Sequence, residues 1–159
     1  MNARALWTGA AIFAAMLLSK YYFANVLRVQ RIRSDAAGDG HFGAGRGMRL
    51  HQGLDLQVEP GEDVFSPVDG RFIRRGYPYA SDERYHLAVL NGEGYEVKAM
   101  YVAPDPSLKP GDRVKRGQYI GKAENVAAKY GGAMQPHIHV EVRKVVGAQL
   151  LDPAKLLRV

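Results

Sequence analysis

Two short stretches of the sequence bring together side chains that can bind a metal. His51-Gln52-Gly53-Leu54-Asp55 places a histidine four residues before an aspartate, and His137-Ile138-His139-Val140-Glu141 alternates polar with β-branched residues. On a strand, residues i, i+2 and i+4 lie on one face. Two histidines and one aspartate from two strands supply nitrogen and oxygen ligands suited to zinc, with a fourth position left for water. The spacing therefore predicts a metal site on one face of a sheet.

Three further polar residues are interpreted beside this pair of stretches. Glu141 shares the predicted face of His137 and His139, so it either orients a ligand imidazole or is a solvated carboxylate. His41 lies in a glycine-rich stretch and is expected to be solvated. His86 lies among apolar residues, and we expect a partly buried, hydrogen-bonded side chain there.

The elements that must position these residues are predicted to be strands. From about residue 48 the chain consists of short alternating runs separated by glycine and proline, among them LDLQV, GRFIRRG, YHLAVLNG, YEVKAMYV and HIHVEVR. Such runs are typical of strands of about four to eight residues and predict an all-β domain over residues 48–159. Asn91-Gly92 predicts a hairpin between Leu87–Leu90 and Tyr95–Tyr101. A short helical turn is predicted over residues 124–129.

Composition and charge exclude several classes of protein. The 159 residues contain no cysteine, which excludes disulfide scaffolds, cysteine-based zinc fingers, iron–sulfur clusters and thiol catalysis. Residues 1–33 hold five of the 22 basic side chains and none of the 16 acidic ones, so they carry five of the six net positive charges. Because the remaining chain is close to neutral, we predict no nucleic-acid partner.

The N-terminal segment is apolar and then basic. Residues 5–19 are uncharged and mostly apolar, and Lys20 and three aromatic residues follow. A membrane-spanning helix needs about 20 apolar residues, a length reached here only if the helix continues past Lys20 to Leu27. We expect residues 1–33 to be an uncleaved membrane anchor, formed by one hydrophobic helix and its basic flank, with a cleaved signal and a soluble helix as alternatives. Residues 34–47 are expected to be a glycine-rich linker.

Four stretches in order along the chain resemble the lysostaphin/LytM-type zinc endopeptidase family. Residues 51–55 and 136–141 resemble the family's H-x-G-x-D and H-x-H signatures, and residues 66–70 and 111–121 resemble its sP-x-dG and Gd-V-kkGq-iG segments. The resemblance covers about residues 41–157. It implies a compact antiparallel β sandwich of the duplicated-hybrid-motif type and hydrolysis of peptide bonds in peptidoglycan stem peptides or cross-links.

The resemblance also implies a role for each site residue. His51, Asp55 and His139 correspond to the ligands of Zn²⁺, and His137 to a catalytic histidine that does not bind the metal. A zinc ion in such a site lowers the pKa of its bound water toward about 7. His137, whose ordinary pKa is about 6.5, suits the task of accepting the proton of that water.

One position departs from the family pattern. Tyr101, in Ala99-Met100-Tyr101-Val102-Ala103-Pro104, stands where the family usually has a second catalytic histidine. A tyrosine in place of this histidine resembles the leukocyte cell-derived chemotaxin 2 variant of the family, which binds zinc without established peptidase activity. A phenol with a pKa of about 10 is a poor base at neutral pH, but it can donate a hydrogen bond to an oxyanion.

Two functions therefore stay open at this point. The first is a membrane-anchored zinc endopeptidase that acts on peptidoglycan, and the second is a catalytically weak zinc-containing module that binds the cell wall or regulates another hydrolase. Both imply that the domain lies in the periplasm or cell envelope. The basic residues that follow the apolar run favour the opposite orientation, with the domain in the cytoplasm.

Overall fold

Strands make up most of the regular structure in residues 23–159, the part of the chain that the computed structural model describes. The strands are β1 (Ser34–Asp35), β2 (Gly38–Asp39), β3 (Gly45–Arg46), β4 (Arg49–Leu50), β5 (Leu54–Gln57), β6 (Asp63–Phe65), β7 (Gly70–Gly76), β8 (Leu87–Gly92), β9 (Tyr95–Met100), β10 (Val102–Pro104), β11 (Arg113–Val114), β12 (Tyr119–Ala123), β13 (His137–Lys144) and β14 (Leu150–Leu151). Two short helices, α1 (Ala127–Tyr130) and α2 (Pro153–Leu157), complete the set in this part of the chain.

The strands form two main antiparallel sheets. The larger sheet has the order β11-β7-β8-β9-β13-β14, and the smaller has the order β10-β12-β6. β13 is eight residues long, so one of its edges pairs with β9 while the other is shared by β5 and β14. β5 and β13 therefore lie side by side, which brings the two histidine-containing stretches together.

One hydrophobic core joins the two sheets because alternate side chains of their strands turn inward. Ile138, Val140 and Val142 of β13 have no exposed surface. They share the core with residues of the larger sheet and of the smaller one, including Phe72, Leu90, Val97, Val64, Val102 and Ile120. The mostly β, antiparallel architecture predicted from the alternating runs is confirmed.

The hairpin between β8 and β9 forms as predicted, but its turn lies two residues further along. Asn91 and Gly92 are the last residues of β8, and Gly92 pairs with Tyr95. The turn residues are Glu93 and Gly94, both with positive φ, as two-residue hairpin turns of type I′ require. Gly92 instead allows close packing, because a Cβ there would lie 2.3 Å from the carbonyl oxygen of Asp69.

Residues 23–33 differ from the expectation that they end a membrane helix. They form no helix, and Phe23, Val26 and Leu27 are buried in the core of the β domain. Backbone hydrogen bonds fasten them there, from Ala24 to the carbonyl oxygen of Pro67 at 2.8 Å and from Phe65 to that of Val26 at 2.9 Å. Their apolar side chains therefore bury surface within the domain, and we call residues 23–33 the N-terminal strap.

Residues 34–47, which were expected to be a glycine-rich linker, are also folded. They contain the β1–β2 hairpin and the first strand of the β3–β4 hairpin. The amide of Gly40 donates to the carbonyl oxygen of Arg33 at 2.8 Å, and the amide of Asp55 donates to that of Gly40 at 2.9 Å. A Cβ at Gly40 would lie 2.7 Å from the Arg33 oxygen. Glycine here permits close packing between strap and β5.

The predicted N-terminal hydrophobic helix lies mainly in residues 1–22, outside the described part of the chain. Between residues 23 and 159, the structure contains no helix with the length and apolar character needed to cross a membrane. The membrane anchor thus stays a prediction from the sequence.

Candidate metal centre

Three side-chain atoms from two neighbouring strand regions meet at one point. His51 Nε2 lies 3.0 Å from His139 Nδ1 and 3.0 Å from Asp55 Oδ1. His139 Nδ1 lies 2.8 Å from the same Asp55 oxygen. His51 and Asp55 are buried, and the side chain of His139 is 12% exposed, so the group is reached from one side only.

Strand register explains why these residues meet. Asp55 of β5 pairs directly with His139 of β13, and directly opposed residues of antiparallel strands have neighbouring side chains. His51 precedes β5, whereas the sequence placed both His51 and Asp55 on one strand. Gly53 lies between them against β13, and a Cβ there would be 2.7 Å from the His139 ring. The glycine therefore leaves room for the imidazole.

The outer ring nitrogens are hydrogen-bonded away from the meeting point. His51 Nδ1 lies 2.8 Å from the carbonyl oxygen of His41, which can only accept a hydrogen bond, so Nδ1 is the protonated nitrogen. His139 Nε2 faces Glu141 Oε1 at 3.4 Å. When both imidazoles are neutral and carry their proton on these outer nitrogens, His51 Nε2, His139 Nδ1 and Asp55 Oδ1 present lone pairs to one another; with one proton more, a ring instead donates to Asp55. Three acceptors about 3 Å apart form a site that attracts a cation.

The spacing and the donor set both fit Zn²⁺. Zinc binds nitrogen and carboxylate oxygen at about 2.0–2.2 Å with tetrahedral geometry, so ligand atoms lie about 3.3 Å apart. His51, Asp55 and His139 are close to that separation and could hold an ion. Zinc must displace any proton they share, because ligands bind deprotonated.

The charges around the site stabilise the ionised carboxylate. Burial alone would raise the pKa of Asp55, but hydrogen bonds from His139 and His51 outweigh it and hold that pKa far below its usual value. Burial likewise opposes protonation of His139, yet the bonds to Asp55 and Glu141 raise its pKa. Glu141 is itself bound to Lys98 at 2.9 Å, and despite its burial the bonds to His139 and Lys98 lower its pKa to about 2. Glu141 thus contacts a candidate ligand, the first of the two roles considered for it.

Two arginines that the sequence pattern did not single out bind the second oxygen of Asp55. Arg33 Nη2 and Nε lie 3.1 and 3.3 Å from Asp55 Oδ2, and Arg46 Nη2 lies 3.3 Å from it. The Arg33 side chain is only 2% exposed. Both residues come from segments that the sequence assigned to a basic flank and a linker. No local spacing links them to Asp55, so only the fold reveals the contact.

His137 lies beside the three candidate ligands without joining them. Its Nε2 is 4.0 Å from Asp55 Oδ1, and its Nδ1 lies 2.8 Å from the carbonyl oxygen of Gln135. Because that carbonyl can only accept, Nδ1 carries the proton and the lone pair of Nε2 faces the site. Burial lowers the pKa of His137, although the charge of Asp55 acts in the other direction. The imidazole is therefore neutral near pH 7 and able to accept a proton.

Tyr101 lies at the point where the chain leaves one sheet and enters the other. It follows the last residue of β9 and precedes β10. Its ring meets the ring of His137 edge to face, with centroids 5.5 Å apart. Its hydroxyl lies 3.0 Å from that of Tyr79, which in turn lies 2.8 Å from that of Tyr130. Burial raises the pKa of Tyr101, so the hydroxyl keeps its proton.

These residues line one open cleft of about 470 Å³. Its lining combines arginines with aromatic side chains and two methionines. The lining includes Arg33, Arg46, Arg49, Tyr79, Tyr101, Tyr130, Met134, His137 and Glu141 together with the three candidate ligands. The cleft has a mixed polar and apolar lining, and its volume lies within the range of about 300–1,000 Å³ that is typical of ligand-binding pockets.

The other two histidines lie as the sequence indicated. His41 is exposed and its ring nitrogen contacts Asp39. His86 is partly buried, with Nδ1 2.6 Å from Glu124 Oε1. Neither side chain belongs to the group of candidate ligands, although the carbonyl oxygen of His41 orients His51.

The fold and this donor set define a β domain of the metallopeptidase class. Residues 49–153 match the model of peptidase family M23, and the chain belongs to that family. Its metallopeptidases depend on zinc, and the His51, Asp55 and His139 group fits that ion.

The chain covers different shares of the proteins to which it is similar. Leukocyte cell-derived chemotaxin-2 of Bos taurus is 31% identical over 124 residues, 77% of this chain and 76% of that protein. Peptidoglycan DD-endopeptidase ShyA of Vibrio cholerae is 29% identical over 93 residues, 58% of this chain but only 20% of that enzyme. The antimicrobial peptidase lysostaphin from Staphylococcus simulans superposes with a TM-score of 0.63 at 20% identity, covering 87% of this chain and 53% of lysostaphin. The chemotaxin-2 match supports the variant of the family that Tyr101 indicated.

Proposed function

We propose that this protein is a zinc-dependent endopeptidase that hydrolyses peptide bonds in peptidoglycan stem peptides or cross-links. The observation that carries the proposal is the meeting of His51 Nε2, Asp55 Oδ1 and His139 Nδ1 within 3.0 Å of one another at the floor of an open cleft. Two groups able to move or donate a proton, His137 and Tyr101, line the same cleft. A metal site, a base and a hydrogen-bond donor are the parts that peptide hydrolysis requires.

His51, Asp55 and His139 would hold the ion and would leave a fourth position for water. The chemistry supplied by zinc held there is a lowered pKa for a coordinated water, toward about 7, and polarisation of the peptide carbonyl. Glu141 and the carbonyl oxygen of His41 orient the two ligand imidazoles by accepting from their outer nitrogens. Such contacts fix the orientation of each imidazole ring and determine which of its nitrogens faces the metal.

His137 acts as the general base. Its Nδ1 proton is held by the Gln135 carbonyl oxygen, so Nε2 is the atom that takes a proton from the attacking water. The Nε2 atom lies 4.0 Å from Oδ1 of the candidate ligand Asp55, so a water held beside these two atoms would be within hydrogen-bond reach of His137. The proton on His137 can then pass to the leaving amine.

Tyr101 donates a hydrogen bond to the oxygen that gains charge during hydrolysis. Burial raises the pKa of Tyr101 and keeps its hydroxyl protonated, and the hydrogen bond with the Tyr79 hydroxyl fixes its direction. In the chain of three hydroxyls, Tyr130 can donate to Tyr79 and Tyr79 to Tyr101, which leaves the Tyr101 proton free for the cleft. The high pKa of the phenol thus suits it to donating a hydrogen bond, whereas a group with this pKa is a poor base at neutral pH.

The proposed substrate places the domain in the periplasm or cell envelope, where peptidoglycan lies. The similarity to a peptidoglycan DD-endopeptidase, which spans 58% of this chain, supports this assignment. The arginine side chains in the cleft lining give it a positive charge that suits a peptide carrying carboxylates.

A second function is favoured by a single observation, the tyrosine at position 101. A catalytically weak zinc module that binds the cell wall or regulates another hydrolase would keep the metal ligands and lose part of the proton-transfer machinery. The 31% identity to leukocyte cell-derived chemotaxin-2, over 76% of that protein, agrees with this alternative.

The experiment that tests the proposal is peptide release from purified peptidoglycan. The full chain, loaded with zinc, is incubated with peptidoglycan between about pH 5 and 9, and newly freed peptide ends are identified by mass spectrometry. We expect cleavage that requires zinc and is lost in Asp55→Ala, because the variant lacks one of three ligands.

Two outcomes would contradict parts of the proposal. Asp55→Ala with full zinc occupancy would show that the ligand set is wrong. Wild-type protein that binds zinc in the expected amount but frees no peptide ends would favour the binding or regulatory module.

A further inference from the structure

The two oxygens of Asp55 have different surroundings. Oδ1 faces His51 Nε2 at 3.0 Å and His139 Nδ1 at 2.8 Å. Oδ2 faces the opposite way, toward Arg33 and Arg46, which approach it with three nitrogens at 3.1 to 3.3 Å. One oxygen is therefore turned to the candidate metal position and the other to two guanidinium groups.

The number of lone pairs decides what Oδ2 can still bind. A carboxylate has about four lone-pair sites, two on each oxygen. Arg33 and Arg46 approach Oδ2 as two separate charged donors, so both of its sites are occupied. The lone pairs that remain available to an ion are those of Oδ1.

Both guanidinium groups are held in place by further contacts. Arg33 Nη1 donates to Asp35 Oδ1 at 2.6 Å, and Asp35 Oδ2 accepts from the amide of Gln135 at 2.8 Å. Arg46 Nη2 also donates to the carbonyl oxygen of Asp39 at 2.6 Å. The Arg33 side chain is 2% exposed and that of Arg46 is 19% exposed. Neither can turn away from Asp55 without breaking these bonds.

We propose that Arg33 and Arg46 limit Asp55 to binding the metal through one oxygen and so keep a coordination position open. Carboxylates bind metal ions through one oxygen or both. Three protein ligands and an open fourth position are typical of catalytic zinc sites, and a second Asp55 oxygen would fill that position. Both arginines precede residue 49, where the match to family M23 begins. They are positioning residues, because they act through Asp55.

This inference rests on the ligand set of the proposed function, but its test does not depend on peptide cleavage. The full chain is loaded with one equivalent of zinc, and X-ray absorption at the zinc edge measures the number of atoms bound to the metal and their distances. The samples are the wild type, Arg33→Met, Arg46→Met and the double variant. Methionine keeps an unbranched side chain of similar length and removes the donors.

We expect about four bound atoms in the wild type, the number typical of a zinc site with three protein ligands and water. In the double variant the number should rise by about one, with a longer mean metal–oxygen distance, as Oδ2 joins the metal. Arg49→Met is the matched control, since Arg49 lines the same cleft and has no contact with Asp55 among the described residues. Its spectrum should equal that of the wild type.

Circular dichroism of each variant shows whether it folds. If Arg33→Met does not fold, Arg46→Met carries the test, because Arg46 is partly exposed and its loss frees one lone pair of Oδ2. An unchanged number of bound atoms in folded, zinc-loaded Arg46→Met overturns the inference, and so does loss of zinc from it. Asp55→Ala that keeps zinc would instead overturn the ligand set.

Discussion

Tyr101 differs from the other residues of the cleft in its backbone as well as in its side chain. Its φ is 61°, in the left-handed region, which costs a residue other than glycine about 1–3 kcal/mol. Hydrogen bonds hold the backbone there from both sides, from the Tyr101 amide to His86 and from the Glu124 amide to Tyr101, each at 2.8 Å. Such conformations cluster at functional sites, and here the conformation turns the ring toward His137.

The variant Tyr101→Phe tests the role of the hydroxyl. It keeps the ring against His137 and removes the donor, so we expect kcat to fall about 10²–10³-fold, the usual cost of losing one oxyanion donor. Zinc content should stay unchanged, because Tyr101 does not contact the candidate ligands through hydrogen bonds. Steady-state cleavage of a soluble peptidoglycan fragment and atomic absorption for zinc measure the two quantities.

The control for this variant is Tyr119→Phe, a tyrosine of β12 whose ring contacts Lys122 rather than the cleft. It should cleave as fast as the wild type. A kcat of Tyr101→Phe equal to that of Tyr119→Phe would remove Tyr101 from the mechanism. Cleavage that appears only in Tyr101→His would favour the regulatory function instead.

Among the elements, the N-terminal strap has the largest unexpected role. It contributes Phe23, Val26 and Leu27 to the core and carries Arg33 to the metal site. It also forms an isolated bridge between Ile32 and Leu56 beside β5. The strap therefore covers the outer edge of β5 and fixes the strand that holds Asp55.

Leu27→Ala tests whether the strap is part of the folded domain. Leu27 is 1% exposed, and replacing such a leucine by alanine costs about 2–5 kcal/mol of unfolding free energy. Urea unfolding followed by far-ultraviolet circular dichroism measures the change in unfolding free energy. Val29→Ala is the control from the same segment, because Val29 is 60% exposed and should cost less than about 0.5 kcal/mol. Equal midpoints for the two variants would mean that the strap does not pack on the domain.

In the whole molecule, the metal site joins parts of the chain that are distant in sequence. Asp55 and His139 are 84 residues apart, and the strands that carry them lie next to each other in the larger sheet. Without a cation, a proton shared among the three facing atoms offsets the repulsion between their lone pairs. Zinc binds the folded arrangement and not the unfolded chain, so its binding free energy adds to stability.

Removal of zinc should therefore lower the thermal unfolding midpoint. At a free zinc concentration of about 100 times Kd, binding adds about 2.7 kcal/mol, which corresponds to several degrees for a domain of this size. Differential scanning calorimetry with and without a chelator measures the shift. Asp55→Ala should show no shift on chelation, and a wild type that also shows none after loss of its zinc would contradict a site built from these residues.

Local patterns were enough to predict the strands and the faces of β13. The alternation of Ile138, Val140 and Val142 with His137, His139 and Glu141 follows from the pleat of a strand, and burial confirms it. The glycines were harder to interpret, because the sequence does not distinguish a glycine that permits close packing from one that permits a turn. Gly40 was assigned to a glycine-rich linker and Gly92 to a turn, and both instead lie against a neighbouring backbone.

The sequence by itself indicated a metal site and an all-β domain, because residue type and strand periodicity are local properties, and its resemblance to a zinc endopeptidase family singled out His51, Asp55 and His139 as the ligands. The tertiary structure decided the rest of the site. The pairing of Asp55 with His139, the contact of Arg33 with Asp55 and the position of Tyr101 beside His137 depend on register and on the path of the chain between sheets. Those features result from packing the whole core, and no short stretch of residues encodes them.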